Sequence, residues 1–198
     1  MTVAFPTNLD FEAQWRRSVP AQANVSQWTG HAKTIGLPGA STWFCEGRFE
    51  PVSTEQEERA LRVFVESLDG IIGITNVPRL CQVHIGPKPT VAAGAGNGFT
   101  LPLTGMAAST TVLEAGQFMT VPLPSGHARL VMLTADLVTD ASGNATAAFK
   151  PDLGEIPDET TVVETVNPYC PMRSTVNEIA VPTEGGVTVV SLSMREAL

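Results

Sequence analysis

Charge, aromatic rings, cysteine and long apolar runs are all scarce in this chain. Of its 198 residues, 16% are charged and 6% aromatic, with a single tyrosine. Basic residues are the scarcer sign: 12 Lys and Arg stand against 20 Asp and Glu, for a net charge of −8 and an isoelectric point near 4.8. Such a chain lacks the phosphate-neutralising surface that gripping nucleic acid requires. The three cysteines, Cys45, Cys81 and Cys170, are odd in number, far apart and in no CxxC pair. They read as reduced, packed thiols of a protein folded in a cytoplasm, not as a disulfide framework. The most apolar stretch, residues 130–138, is interrupted by Thr134 and Asp136 and falls short of the roughly 18 residues that a spanning helix needs. The opening Met-Thr-Val-Ala-Phe-Pro, with Asp10 and Glu12 close behind, has neither the basic region nor the apolar run of a secretory signal. No membrane insertion is expected.

What the chain does have is a hydrophobic fraction of 43%, abundant Thr and Val, and 17 Gly and 15 Pro scattered along its length. This composition favours many short strands joined by turns, in one domain or two small ones. The opening, residues 1–39, is an arm rich in breakers with strand-like pieces at 3–5 and 25–28. Residues 42–49 are rich in β-formers and are closed by Pro51, as at a strand end.

The clearest local signal is a helix over 54–69. Ser53 or Thr54 caps it, Gln56 and Glu57 follow as capping-box partners, and acids fill the first turn. Leu61, Phe64, Val65 and Leu68 recur at i, i+3, i+4 and i+7, which makes one stripe facing a core. Glu57, Glu58, Arg59, Arg62 and Glu66 are left mostly to solvent, and Gly70 ends the helix. Two apolar runs, 71–77 and 80–85, read as a strand and its continuation or partner. Residues 86–89 (Gly-Pro-Lys-Pro) then read as a stiff linker and the glycine-rich 91–98 as a flexible one, which places a domain junction there. Beyond it, strands are expected at 99–103, 117–123, 130–139, 145–150 and 160–166, spaced for a small barrel or sandwich. Asp140 to Asn144 forms a hairpin loop turning on Gly143. A last strand over 186–194 alternates as a half-buried strand and completes a sheet.

Residues that could carry catalysis lack the context it needs. Gly94, Gly96 and Gly98 run into a strand pattern, whereas a phosphate loop leads into a helix. Gly39-Ala-Ser-Thr-Trp43 is no nucleophile elbow, and Ser125-Gly-His127 sits in a proline-bracketed turn. His31, His84 and His127 form no ligand pair on a helix face. Asp152, Glu155, Asp158 and Glu159 make an acidic loop without the order of a calcium site or a partnered carboxylate for glycoside cleavage. The sequons at Asn24 and Asn144 carry little meaning without a secretion signal. No catalytic, cofactor or metal-binding residue is assigned, and the chain is not read as an enzyme.

Three stretches together resemble the distal tail and minor tail proteins of long-tailed bacteriophages and related gene transfer agents. Residues 53–70, ending Phe64-Val-Glu-Ser-Leu-Asp-Gly70, are similar to the family's single helix ending in F-x-x-S-L-x-G. Leu113-Glu-Ala-Gly-Gln-Phe118 is similar to its L-x-x-G-D/Q before a strand. Residues 137–146, leading to Phe149-Lys-Pro151, are similar to its D-x-x-G-x-A hairpin. Where the family continues with P-P-L-R, this chain reads Pro151-Asp-Leu-Gly154 and lacks the arginine.

The resemblance covers most of the chain from about residue 40. It implies a mainly β fold: a sandwich or barrel domain with one packed α-helix (1–86 with 176–198), interrupted by an inserted small OB-like β-barrel (90–175). It further implies a structural virion protein of the tail, assembled in the host cytoplasm. Such a protein forms a homo-oligomeric, sixfold ring at the distal end of the tail tube and joins the tail-tube protein to the tail-tip hub. DNA only passes through its lumen, where acidic walls would keep the polyanion from sticking.

Ring assembly by edge-strand pairing consumes exposed strand amides. The opening arm and the last strand, at Val187, Val189 and Ser191, are the candidates for it; an internal barrel strand is the other reading of that last strand. Three functional alternatives stand beside the distal ring: a carbohydrate- or cell-surface-binding β module stacking sugars on Trp15, Trp28, Trp43 or Tyr169; a tail-tube protein; and a wall-cleaving hydrolase, for which the sequence supplies no site.

Overall fold

A computed structural model describes residues 2–37, 41–79, 82–184 and 187–197. The protein is mainly β, with one α-helix among the described residues and a sheet that curls into a half-barrel. In chain order the first elements are β1 (Thr2–Val3), β2 (Phe11–Ser18), β3 (Ala21–Val25), β4 (Ala32–Gly36), β5 (Thr42–Phe49), α1 (Glu55–Leu68), β6 (Ile74–Pro78) and β7 (Thr90–Val91). Next come β8 (Thr100–Thr104), β9 (Thr111–Leu113), β10 (Phe118–Pro122), β11 (Ala128–Leu133), β12 (Leu137–Val138) and β13 (Ala145–Lys150). The last are β14 (Tyr169–Ser174), β15 (Thr183–Glu184), β16 (Val187–Thr188) and β17 (Ser191–Glu196). The chain forms two compact units, one of residues 1–16, 43–80 and 167–198, the other of 17–42 and 81–166.

The first unit holds a six-stranded sheet in the order β1-β6-β14-β17-β5-β2. β1 joins β6 in parallel, while β6, β14, β17 and β5 run antiparallel, with Met172 opposite Thr75 and Glu196 and Met194 opposite Cys45. Period-two alternation buries Trp43, Cys45 and Phe49 of β5 and Leu192 and Met194 of β17. Helix α1 begins as its capping signal requires: the Thr54 hydroxyl accepts the Glu57 N–H and donates to the Glu57 carboxylate at 2.6 Å. It ends one residue ahead of the expected glycine, because Asp69 itself takes the left-handed conformation at φ 47°. Arg59 pairs with Glu55 and Arg62 with Glu58 along its exposed face. Leu61, Phe64, Val65 and Leu68 are buried, and Phe64 meets Phe5 and Phe49 edge-on at 5.6 and 6.0 Å. Phe11 closes this aromatic cluster at 4.8 Å from Phe49. Its ring lies directly over Gly47, where any Cβ would overlap it.

The second unit holds an antiparallel sheet in the order β10-β11-β13-β8-β7, a β9/β12 ribbon and the β3/β4 hairpin. Leu101, Leu103, Met119, Val121, Leu133 and Phe149 anchor its core. Residues 160–164, expected as a strand, instead form two isolated bridges: Thr90 with Val162 at one margin of the sheet, and Thr120 with Glu164 at the other. The Asp140 carboxylate accepts the Ser142 and Asn144 N–H groups, and Gly143 turns the loop at φ 75°.

Several expectations need correction. The run 130–139 is two strands, β11 and β12, and in the turn between them the Asp136 carboxylate accepts the Ala115 N–H at 2.8 Å. The supposed flexible linker begins as β7, whose Val91 is buried against the core. Residues 82–85 form no strand. There the Gln82 side chain takes the place of a backbone neighbour, donating to the carbonyls of Phe118 and Thr165 and accepting the Phe118 N–H. The opening is more ordered than an arm with short pieces, since β2, β3 and β4 occupy much of it. β14 already lies in the six-stranded sheet, ahead of the return expected at 176, and residues 17–42 cluster with the second unit. Leu80, Cys81, Gly39 and Gly186 lie outside the described residues.

Candidate assembly surface

The six-stranded sheet has two margins, the two-residue β1 and the eight-residue β2; the longer is β2. Its sequence, Phe-Glu-Ala-Gln-Trp-Arg-Arg-Ser, does not alternate, and packing from the neighbouring elements holds it in place. Phe11 docks over Gly47. Trp15 meets Trp43 edge-on at 6.5 Å, with the Arg79 guanidinium 5.1 Å above the Trp15 ring. Arg16 pairs with Glu46 at 2.6 Å and lies over the Phe44 ring. Beside this margin a groove of about 670 Å³ opens between Glu12, Glu46, Arg48, Val176, Leu192 and Ser193.

Burial pushes the Cys45 thiol up to about 12, with Arg79 opposing the shift and Glu46 adding to it. Burial also lowers the pKa of Arg79. At neutral pH Cys45 is therefore a protonated, fully buried packing residue; Cys170 is equally buried.

The residues singled out for ring contact are placed differently from one another. Val187 is half-buried in β16, which pairs with β15 and bridges through Thr188 to Val52. Val189 lies between strands, its N–H donating to the Pro182 carbonyl at 3.3 Å. Ser191 opens β17, a strand flanked by β14 and β5. β5 pairs along β17 from Ser191 to Arg195, whereas β14 pairs only with Met194 to Glu196, so the far half of β17 is committed on both sides while Ser191 is laddered on the β5 side. The opening arm, the other candidate for edge pairing, supplies a margin strand of the sheet at β2, a segment that the sequence pattern did not mark as a strand.

The other conspicuous surface is the β3/β4 hairpin. Every residue of both strands is exposed, in a register from Ala21 opposite Gly36 to Val25 opposite Ala32. The Ser26 N–H donates to the His31 carbonyl at 2.9 Å and the Gly30 N–H to the Ser26 carbonyl at 3.0 Å, closing a tip that carries Trp28 at 96% exposure. Of the expected stacking residues, Trp43 is buried, Trp15 is half-buried under Arg79, and Trp28 alone of the three tryptophans is open.

Groups with chemical potential stay dispersed. Among the described residues no three His, Cys, Asp or Glu side chains gather to hold a metal ion. His84 contacts the Pro87 carbonyl at 3.2 Å, and the Glu155 carboxylate accepts the Ser125 N–H, tying the acidic loop to the neighbouring turn. No helix among the described residues is long and apolar enough to cross a membrane. No family model matches this chain, and no curated protein is significantly similar to it.

Proposed function

We propose that the chain is a structural protein of a phage tail that assembles into a ring at the distal end of the tail tube, joining the tube to the tip hub. The observation that carries this reading is the eight-residue open margin at β2, anchored by Phe11 and Trp15 and edged with the charges of Glu12, Arg16 and Arg17. An unpaired edge invites any strand, and charged residues along it restrict that invitation to a complementary partner. The capped helix packed within the same unit supports the resemblance to tail proteins in its first stretch. The second unit is taken as the inserted OB-like barrel. Support comes from residues 160–164, which hydrogen-bond to both margins of its sheet and so join them. With a net charge of −8, the ring lets DNA pass through its lumen without gripping it.

Light scattering coupled to size exclusion, with negative-stain imaging of the same fraction, tests the reading. Rings with a central hole at a multiple of 21.0 kDa are expected. A strictly monomeric species at every concentration overturns it.

A further inference from the structure

We infer that Asn97 is a self-modification site, where the chain loses ammonia through a succinimide closed with Gly98 and gains a negative charge. The inference is independent of the tail reading. Of the chain's seven asparagines, Asn97 alone precedes a glycine. A glycine in that place has no Cβ to block the approach of its own amide nitrogen to the preceding side chain. The structure leaves that approach open. Asn97 is exposed in the segment between β7 and β8. Among the described residues, none hydrogen-bonds to the Asn97 carboxamide or to the Gly98 N–H. Where a Cβ on Gly98 would stand there is open space, and its φ lies outside the left-handed region. Asp69, the one acid that precedes a glycine, is held by contrast. Its N–H donates to the Glu66 carbonyl at 3.2 Å, and the Asn177 carbonyl oxygen lies 2.8 Å from where a Cβ on Gly70 would stand.

The Gly98 amide nitrogen gives its proton to hydroxide and attacks the side-chain carbonyl carbon of Asn97. The new C–N bond closes a five-membered ring, and the carboxamide nitrogen leaves as ammonia. An amide is a weak nucleophile, and it reacts because it is tethered beside its target. Water then opens the ring at either carbonyl, giving aspartate or isoaspartate at position 97 and one negative charge more than the chain's −8. The isoaspartyl product changes the fold's connections. The Asn97 carbonyl accepts the Gly154 N–H at 3.3 Å, and the Gly98 carbonyl accepts the N–H of the core residue Leu153 at 3.2 Å. In the isoaspartyl chain the first carbonyl leaves the main chain as a free carboxylate, and an added methylene displaces the second. Residues 153–154 thereby lose their tie to the approach to β8, whereas the aspartyl product keeps both bonds.

The test ages the full chain at neutral and at mildly alkaline pH. Peptide mapping by mass spectrometry, with a protease that cuts before aspartate but not before isoaspartate, reads the position and the product. Both products are expected at position 97, forming faster at the higher pH, because the nitrogen attacks as its anion. Asn97→Gln removes the change, and Gly98→Ala, whose methyl group meets no neighbour, slows it without disturbing the fold. After separation by ion exchange, the isoaspartyl form is expected to unfold on the order of 5 °C below the parent. The aspartyl form, for which Asn97→Asp is the standard, should stay within about 2 °C of the parent. A folded parent that keeps Asn97 intact at both pH values, while the same chain in urea loses ammonia there, overturns the inference. So does modification of another asparagine ahead of Asn97. An isoaspartyl form that unfolds with the parent overturns the lost tie.

Discussion

Gln82 offers a direct measurement of how a side chain substitutes for a strand. Its amide donates at 2.6 Å to the Phe118 carbonyl and at 2.7 Å to the Thr165 carbonyl, and its oxygen accepts the Phe118 N–H at 2.8 Å. The Phe118 N–H fixes which end of the amide is which, because only the oxygen accepts. Each bond contributes about 1 kcal/mol net, and the backbone groups left behind in Gln82→Ala regain water only in part, so a loss of about 2–3 kcal/mol is expected. For a unit of this size that lowers the unfolding temperature by on the order of 10 °C. Gln82→Glu sharpens the argument. Its carboxylate keeps the Phe118 N–H but turns an unprotonated oxygen toward two carbonyls, which raises the carboxyl pKa in the folded state. A raised folded-state pKa means the folded protein binds more protons, so stability falls as pH rises and recovers as it drops. The deficit of Gln82→Glu against the parent should therefore shrink between pH 7 and pH 4. Calorimetric scans of the three proteins at both pH values decide the matter. An unfolding temperature for Gln82→Ala within about 2 °C of the parent, or a Gln82→Glu deficit that ignores pH, would refute the reasoning.

Three further outcomes are expected. Gly47→Ala places a Cβ inside the Phe11 ring and should cost about 1–3 kcal/mol in urea denaturation; combined with Phe11→Ala the loss should be smaller than the sum, and strict additivity would show that the two do not meet. The Cys45 thiol, raised from 9.0 to about 12 by burial, contributes stability that is complete below pH 9 and drains away as pH rises toward 12. Cys45→Ala should thus flatten the fall of unfolding free energy between pH 9 and 11, and parallel profiles would count against this. Thr54→Ala removes the hydroxyl that accepts the Glu57 N–H and should lower stability by about 1 kcal/mol, with a loss of helical signal on heating before the β signal; an unchanged urea midpoint would show the cap to be idle.

Helix α1 was legible because its signals are local. A cap at Thr54, a partner at Glu57 and the stripe Leu61, Phe64, Val65 and Leu68 all act within a few turns of one another, and no distant residue is needed to read them. The same holds for β5, for β13 and for the loop that Asp140 and Gly143 close. β2 was not legible, since its pattern of charges has no period of two; it becomes a strand because Gly47 leaves room for Phe11 and Trp43 receives Trp15. β14 was hidden by Pro171, which cannot donate a ladder bond but keeps its carbonyl for the Ala197 N–H at 2.9 Å.

Alternation over 186–194 predicted one half-buried strand; the structure breaks it into β16 and β17, and β17 keeps the alternation. Alternation describes faces, however, and assembly depends on edges. Whether a strand's amides are free is decided by which remote strands lie beside it. Only the order β14-β17-β5-β2 showed that the opening arm, one of the two candidates, holds a margin strand of the sheet. The sequence by itself determined composition class, the helix and the local turns, because these follow from short-range sterics, capping and periodicity. The tertiary structure decided the neighbours of each strand, and with them the open margin and the uncovered hairpin, because hydrogen-bond partners across a sheet are set by segments far apart in the chain.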